Sequence, residues 1–223
     1  MVESGRDEIL GRLKAAPKTE IPCRPLMPPF GEASLGREEL VERFVEMFTA
    51  ETGIVCRAKD NDQARDRLTE IARREGLGCV MVSADEVVAP LDLPAWGRSV
   101  RVEVMSSGDF QGRDDFKDAV FDRAEAGITG ADFAVAESGT LGLIHDEVQA
   151  RLTSLAPILH IAIVPVERIV PVYETAIERV FSRREKRPSQ FVFITGPSMT
   201  GDIQGLLFKG MHGPRRVIVI LVG

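Results

Sequence analysis

The pattern of apolar and polar positions along the chain alternates between two periods. Apolar residues recur every three to four positions in Arg37–Ala50 and again in Asp62–Glu75, so both segments are predicted to be amphipathic helices. Short continuous apolar runs, as in Cys79–Val82 and Arg216–Val222, are typical of buried strands. The chain therefore begins its main body with a helix and ends it with a strand.

The same two patterns continue through the rest of the chain. Helices are predicted over Phe116–Ala124 and Val172–Phe181. Strands are predicted over Gly53–Arg57, Val100–Met105, Ala131–Ala136, Ile158–Val164 and Phe191–Thr195. Strands that alternate with helices imply an α/β fold with a mostly parallel sheet covered on both faces. Ligands of such sheets bind at the carboxyl ends of the strands, where loops 136–142 and 195–201 are expected.

The first 34 residues differ in composition from the rest. Behind Ser4, which can cap a helix, Ile9, Leu10 and Leu13 have helical spacing. Five prolines follow between positions 17 and 29 and exclude a regular helix or a central strand there. We therefore expect an N-terminal helix with a proline-rich arm, residues 1–34, before an α/β domain. That domain is residues 35–223.

The N-terminal helix has an apolar side that needs a partner surface. An apolar groove of its own domain or of another subunit would serve, and the sequence leaves both open. The formal net charge of -6 argues against a general nucleic-acid binder, because affinity for the phosphate backbone comes from clustered Lys and Arg side chains. The one basic run, residues 183–187, is expected to close a solvated helix.

The apolar runs and the cysteines both indicate a cytoplasmic protein. No run approaches the roughly 20 apolar residues of a membrane span, and the N-terminus lacks a signal-peptide core. Cys23, Cys56 and Cys79 are far apart, so they cannot by themselves build a zinc site or an iron–sulfur cluster. The three histidines also lack metal-ligand spacing, and no metal site is predicted.

The segment FVFITGPSMTGDIQ, residues 191–204, resembles a phosphate-binding loop. Its glycines have the spacing of G-x-x-x-x-G-K-[ST], but Asp202 stands where the lysine would neutralise phosphate. Nucleotide hydrolysis of that kind is therefore not predicted. A helix that begins near Ser198 or Thr200 would still offer unpaired N–H groups to an anion, with Asp202 in its first turn.

The segment AESGTLG, residues 136–142, follows a predicted strand. A carboxylate, two hydroxyls and two glycines can there combine a base or nucleophile with free backbone N–H groups. The other interpretation is a hairpin turn, with Thr140–Ile144 as the returning strand. Ser138 does not lie in a G-x-S-x-G elbow, and no G-x-G-x-x-G follows a predicted strand. Neither serine-hydrolase chemistry nor Rossmann dinucleotide binding is therefore predicted.

Two histidines receive different predictions. His212 lies between glycines in a loop before the last strand, and it is the candidate for proton transfer because imidazole titrates near neutral pH. His160 begins the apolar run HIAIV and is predicted to be a hydrogen-bonded core residue.

Four motifs together resemble the LUD domain family. They are GITGADFAVAESGT (127–140), RLTSLAPILHI (151–161), ITGPSMTGDIQ (194–204) and GMHGPRRVIVILV (210–222). The resemblance implies a three-layer α/β/α fold similar to the sugar-phosphate isomerase and CoA-transferase group. It also implies a role in the oxidation of L-lactate to pyruvate alongside two iron–sulfur partner proteins. The cysteine spacing agrees, since the clusters would have to lie in those partners.

These observations lead to one predicted site, built by loops 137–142, 195–202 and 210–215. It would bind a small carboxylate or an anionic cofactor of unknown identity, with Glu137 as base or nucleophile and His212 as proton carrier. The predicted ligand-binding residues are Ser138, Gly139, Thr140, Thr195, Gly196, Ser198, Thr200, Asp202 and Arg215. Two alternatives stay open: a non-catalytic assembly or regulatory subunit, and an acyl- or CoA-transfer enzyme that uses Glu137 as acyl acceptor.

Overall fold

A computed structural model of the chain describes residues 5–16, 35–182, 188, 190–201 and 206–223. The chain divides into two compact units, residues 1–31 and residues 32–223. In the first unit, helix α1 spans Gly5–Ala15, within the segment where the sequence predicts an N-terminal helix. Ser4, Cys23, the proline-rich arm, the basic run and Asp202 lie outside the described residues, so the predictions made for them are not tested.

Helices of the second unit alternate with strands. They are α2 (Arg37–Ala50), α3 (Asn61–Glu75), α4 (Leu93–Val100), α5 (Arg113–Asp122), α6 (Arg151–Leu155) and α7 (Tyr173–Ser182). Helix α2 has the predicted bounds and buries Leu40, Val41, Phe44 and Phe48. No helix of the described residues is long and apolar enough to cross a membrane.

The strands of the described residues form three sheets. In chain order they are β1 (Ile54–Ala58), β2 (Cys79–Val82), β3 (Glu103–Ser106), β4 (Ala126–Gly130), β5 (Phe133–Val135), β6 (Thr140–His145), β7 (Leu159–Pro165), β8 (Ile169–Val170), β9 (Gln190–Ile194), β10 (Met199–Gly201), β11 (Leu207–Lys209) and β12 (Arg216–Val222). Six of them form a parallel sheet in the order β1-β12-β7-β4-β2-β3, which confirms the predicted α/β fold.

Both faces of this central sheet are buried, because successive side chains of a strand point to opposite faces. On β12, Ile218 and Ile220 join the core that includes residues of α3 and α4, whereas Val217 and Val219 join the core that includes α2. The continuous apolar run of β12 therefore follows from burial on both sides.

A four-stranded sheet, in the order β8-β5-β6-β9, is not predicted from the sequence. Its strands β5 and β6 pair antiparallel, which confirms the hairpin interpretation of residues 136–142. On one face, Leu141 and Leu143 join the α2 core, and on the other Phe133 and Val135 pack with residues of α7. The segment AESGTLG is thus held between two layers of the domain.

The helix predicted near Ser198 or Thr200 is wrong, because Met199–Gly201 is a strand that pairs antiparallel with β11. β-Branched Thr200 stands opposite Phe208, a kind of cross-strand pair that stabilises a ladder. The backbone N–H of Ser198 is also taken, since it donates to the Pro214 carbonyl at 2.9 Å. The free helix N-terminus expected there does not exist.

Candidate functional site

Hydroxyl groups gather around Thr140 at the start of β6. Its Oγ1 lies 2.9 Å from Ser138 Oγ, 2.7 Å from Tyr173 OH and 2.7 Å from Thr195 Oγ1. A hydroxyl can donate one hydrogen bond and accept two, so these three neighbours use the whole capacity of this fully buried group. Thr140 therefore positions its neighbours and has no capacity left for a ligand, whereas Ser138 is only partly buried and Thr195 is exposed.

Glu137 lies beside this hydroxyl cluster on the protein surface. Its Oε1 accepts a hydrogen bond of 3.1 Å from the backbone N–H of Tyr173, the first residue of α7. A carboxylate at a helix N-terminus is favoured by the helix dipole, so Glu137 has a structural role there. Its Oε2 has no hydrogen-bond partner among the described residues and is open to a substrate proton.

Two glycines hold the site loops against the end of α2. Gly139 has a φ of +62°, and a Cβ there would lie 2.2 Å from the backbone N of Phe48. Gly196 has a φ of +82°, and a Cβ there would lie 2.6 Å from the carbonyl oxygen of Glu51. Glycine alone meets both demands, a left-handed backbone and a close approach. The predicted binding roles of both glycines thus have a packing explanation.

These loops do not lie at the carboxyl edge of the central parallel sheet, where the sequence predicts them. The loops contact Phe48 at the end of α2 and Glu51 just after it, and both residues precede β1, so the loops lie at the amino end of that strand. The loops do follow the carboxyl ends of β5 and β9, but those strands belong to the four-stranded sheet. The carboxyl-edge rule for parallel sheets therefore does not apply to them.

Ser198 links this part of the site to loop 210–215. The backbone N–H of Gly210 donates to the Ser198 carbonyl at 2.9 Å, in addition to the bond from Ser198 to Pro214. Three residues of chain span at most about 11 Å, which limits the distance between Thr195 and Ser198. The two predicted parts of the site are therefore neighbours at one edge of the domain.

Loop 210–215 borders a cavity of about 590 Å³. His212 and Arg215 line it, and the fold adds Arg151 and Lys209, which the sequence does not place there. No carboxylate of the described residues lines this cavity. The hydroxyl cluster and Glu137 lie outside its lining, so the single predicted site is divided into two adjacent parts. Thr200 lies in strand β10, which pairs antiparallel with β11, and does not line the cavity either.

The opposite, carboxyl edge of the central sheet has the reverse charge. A cavity of about 270 Å³ there is lined by Arg168 and by four carboxylates, those of Asp85, Glu86, Asp132 and Asp146. Asp85 accepts hydrogen bonds from the backbone N–H groups of Val87, Val88 and Gly130, which are the kind of donors that bind anionic ligands. The carboxylates at this edge therefore repel anions. The backbone N–H groups that could bind an anion already donate to Asp85.

His160 is a core residue, as predicted. Its Nε2 lies 2.9 Å from Thr129 Oγ1, and the residue is fully buried. Burial, with a smaller effect from His145, lowers the pKa of His160 to about 3. His145 is also buried, and burial lowers its pKa as well. Neither imidazole is open to a ligand, which leaves His212 as the exposed histidine of the described residues.

Metal ligands do not converge in the part of the chain that the structure describes. No three side chains of histidine, cysteine, aspartate or glutamate lie close enough there to hold a metal ion. Cys56 and Cys79 are unpaired and half-buried. Burial raises the pKa of the Cys79 thiol to about 11, so this thiol stays protonated at neutral pH.

Comparison with known proteins matches the LUD domain to residues 41–222. Lactate utilization protein C of Anoxybacillus flavithermus is 34% identical over 161 residues, 72% of this chain and 70% of that protein. Lactate utilization protein C of Deinococcus radiodurans is 32% identical over 202 residues, 88% and 86% of the two chains. A crystal structure of a DUF162 family protein from Deinococcus radiodurans has a TM-score of 0.60 and 26% identity, and the match covers 85% of this chain and 99% of that one.

Proposed function

Because the chain belongs to the LUD domain family, we propose that it is a component of an L-lactate utilization system that oxidises L-lactate to pyruvate. Within that system it binds an organic anion at the amino edge of the central sheet. The names of its relatives support the pathway. The observation that carries the binding role is the cavity lined by Arg151, Lys209 and Arg215 without a described carboxylate.

Among the cavities of the described residues, the charge of the lining favours an anion in this one. The chain as a whole carries a formal net charge of -6. The lining of this cavity has the opposite sign, with three cationic side chains and no described carboxylate. A guanidinium group offers two parallel donors that match a carboxylate. A positive cleft also raises the local concentration of anions and their rate of association.

The oxidation of L-lactate releases two electrons and two protons. Glu137 would accept the hydroxyl proton at its free Oε2, and His212 would carry the second proton, which comes from the broken Cα–H bond, to solvent. Ser138 and Thr195 would orient the substrate hydroxyl. The electrons would pass to iron–sulfur partner proteins, because the cysteines of this chain lack the spacing of cluster ligands.

Replacing Arg215 with glutamate tests the binding role. In a strain whose growth on L-lactate depends on this gene, we expect growth on lactate to fall at least about tenfold, since a hydrogen bond to a charged group contributes about 1.5–3 kcal/mol. Growth on glucose should not change. Arg113→Glu is the matched control, because Arg113 is exposed on α5 and does not line the cavity. Normal growth of the Arg215→Glu strain on lactate would contradict the proposal.

Replacing Glu137 with glutamine tests the catalytic part. Glutamine keeps an oxygen that can accept from Tyr173 N–H, so α7 should stay folded, but it cannot take a proton. Lactate oxidation should fall about 10²–10⁴-fold, the usual contribution of a general base. Glu174→Gln is the control, since Glu174 is exposed in the first turn of the same helix.

Co-purification completes the Glu137→Gln experiment. The iron–sulfur proteins should co-purify equally with the original chain and with this variant, because the substitution leaves the surface shape unchanged. Undiminished lactate oxidation by the variant would rule out Glu137 as the base. Failure of the original chain to co-purify with any iron–sulfur protein would instead contradict the proposed partners.

An assembly subunit is the second candidate function. Helix α1 favours it, because its apolar residues Ile9, Leu10 and Leu13 are all exposed. A helix with such a side is stabilised by packing against another surface. In this case Glu137→Gln would leave lactate growth intact, whereas removal of residues 1–34 would abolish co-purification while the α/β domain stays folded.

A further inference from the structure

We propose that the anion bound in the 590 Å³ cavity is amphiphilic: a carboxylate or phosphate head attached to an apolar body much larger than that of lactate. This inference rests on the proposed anion-binding function and names the class of its ligand. The head would lie between Arg151, Lys209 and Arg215, and the apolar body would cover the hydrophobic part of the lining.

The size of the cavity is the first argument. Cavities of about 300–1,000 Å³ enclose most of the surface of drug-sized ligands. A three-carbon acid such as lactate would fill only a small part of 590 Å³ and would leave the rest to water. A ligand with many more atoms matches this volume.

The apolar residues of the lining are the second argument. Phe121, Ile158 and Met211 are 61%, 65% and 64% exposed, and all three border this one cavity. They come from α5, from the segment before β7 and from the loop before β12, so the fold and not local sequence brings them together. Contiguous exposed apolar side chains of this kind mark a binding surface.

The arrangement of charge is the third argument. Lys209 is held by a hydrogen bond of 2.9 Å from its Nζ to Thr52 Oγ1. Arg151 and Arg215 form no ion pair with a described residue, so their charges stay available to a ligand. A purely apolar ligand would leave these cations buried without a partner, which is costly. The lining therefore requires both a charged and an apolar part in one molecule.

Calorimetric titration of the purified full-length chain tests this inference. The ligands are L-lactate, butyrate, hexanoate and octanoate, with flavin mononucleotide as a fused-ring body that carries a phosphate. Each added methylene that is buried should tighten binding about fourfold. Octanoate or flavin mononucleotide should therefore bind at least tenfold more tightly than lactate. Whichever of these two ligands binds more tightly shows whether the apolar body of the ligand is a chain or a ring system.

Variants locate the binding. Phe121→Ser together with Ile158→Ser should remove most of the gain with chain length, and both sites are exposed enough for the fold to remain. Ile177→Ser, on exposed apolar surface of α7, should leave the gain unchanged. Arg215→Glu should weaken every ligand by a similar factor of about ten or more.

The outcomes separate this inference from the proposed function. Equal affinity for lactate, octanoate and flavin mononucleotide, or a chain-length gain that persists in the Phe121→Ser, Ile158→Ser variant, would overturn the amphiphilic ligand and leave anion binding intact. Absence of binding by every anion, combined with normal lactate growth of the Arg215→Glu strain, would overturn the proposed function itself.

Discussion

Replacing Gly139 with alanine should lower the free energy of unfolding by about 2–5 kcal/mol. The φ of +62° costs an alanine about 1–2 kcal/mol. The added Cβ would also lie 2.2 Å from the backbone N of Phe48, and relief requires α2 to shift, at a cost of about 1–3 kcal/mol. Because the turn also carries Glu137 and Ser138, the shift should reduce lactate oxidation as well. Urea denaturation of the purified chain measures the stability change.

Gly76 provides the control for this experiment. Its φ of +67° is similar, but a Cβ there would meet nothing within 4 Å. Gly76→Ala should therefore show only the backbone cost of about 1–2 kcal/mol. Equal losses in the two alanine variants would contradict the close approach of Gly139 to α2.

Lowering the pH from 7 to 5 should reduce the stability by about 2 kcal/mol or more. His160 has a pKa of about 3 in the folded chain against an ordinary value of 6.5, so below pH 6.5 the unfolded chain binds the extra proton. The stabilisation is complete above pH 6.5 and is lost progressively as the pH falls towards 3. His145, whose pKa is also lowered by burial, acts in the same direction.

A His160→Gln variant isolates this effect. Glutamine can still hydrogen-bond Thr129 but does not titrate, so the variant should be less stable at pH 7 and should lose less stability between pH 7 and 5. Glu75 does not interfere, because its pKa is lowered from 4.5 and its contribution is lost only below that value. If urea midpoints of both proteins fall equally between pH 7 and 5, His160 is not the responsible group.

The strands of the central sheet and the helices that cover it are predictable where their sequence has a strong apolar pattern. The bounds of α2, β2 and β12 agree with the sequence prediction, because their apolar residues face cores over their whole length. Strand β4 is missed, since its sequence AGITG contains little apolar surface. Its Gly127 is required because a Cβ would lie 1.7 Å from the carbonyl oxygen of Thr153, a contact that no local pattern reveals.

The candidate site was predictable only in part for the same reason. The motifs indicate the loops with Glu137 and His212, and the structure brings those loops to one edge of the domain. The division into a hydroxyl cluster and a cationic cavity depends on contacts between distant segments. Lys209 and Arg151 lie 58 positions apart in the printed sequence and reach one cavity only through the fold. The helix near Ser198 is wrongly predicted, because the local sequence does not reveal that Met199–Gly201 pairs with β11.

Asp85 stabilises loop 83–88 from within the chain. Its carboxylate accepts hydrogen bonds from the backbone N–H groups of Val87, Val88 and Gly130 as a bound anion would, but it is part of the chain and is present without any ligand. The conformation of loop 83–88 is therefore stabilised without a bound ligand. At the other edge, Lys209 belongs to the antiparallel pair β10–β11, and a two-stranded pair is marginally stable by itself. We therefore expect a conformational response to a ligand of the cationic cavity to begin in that strand pair.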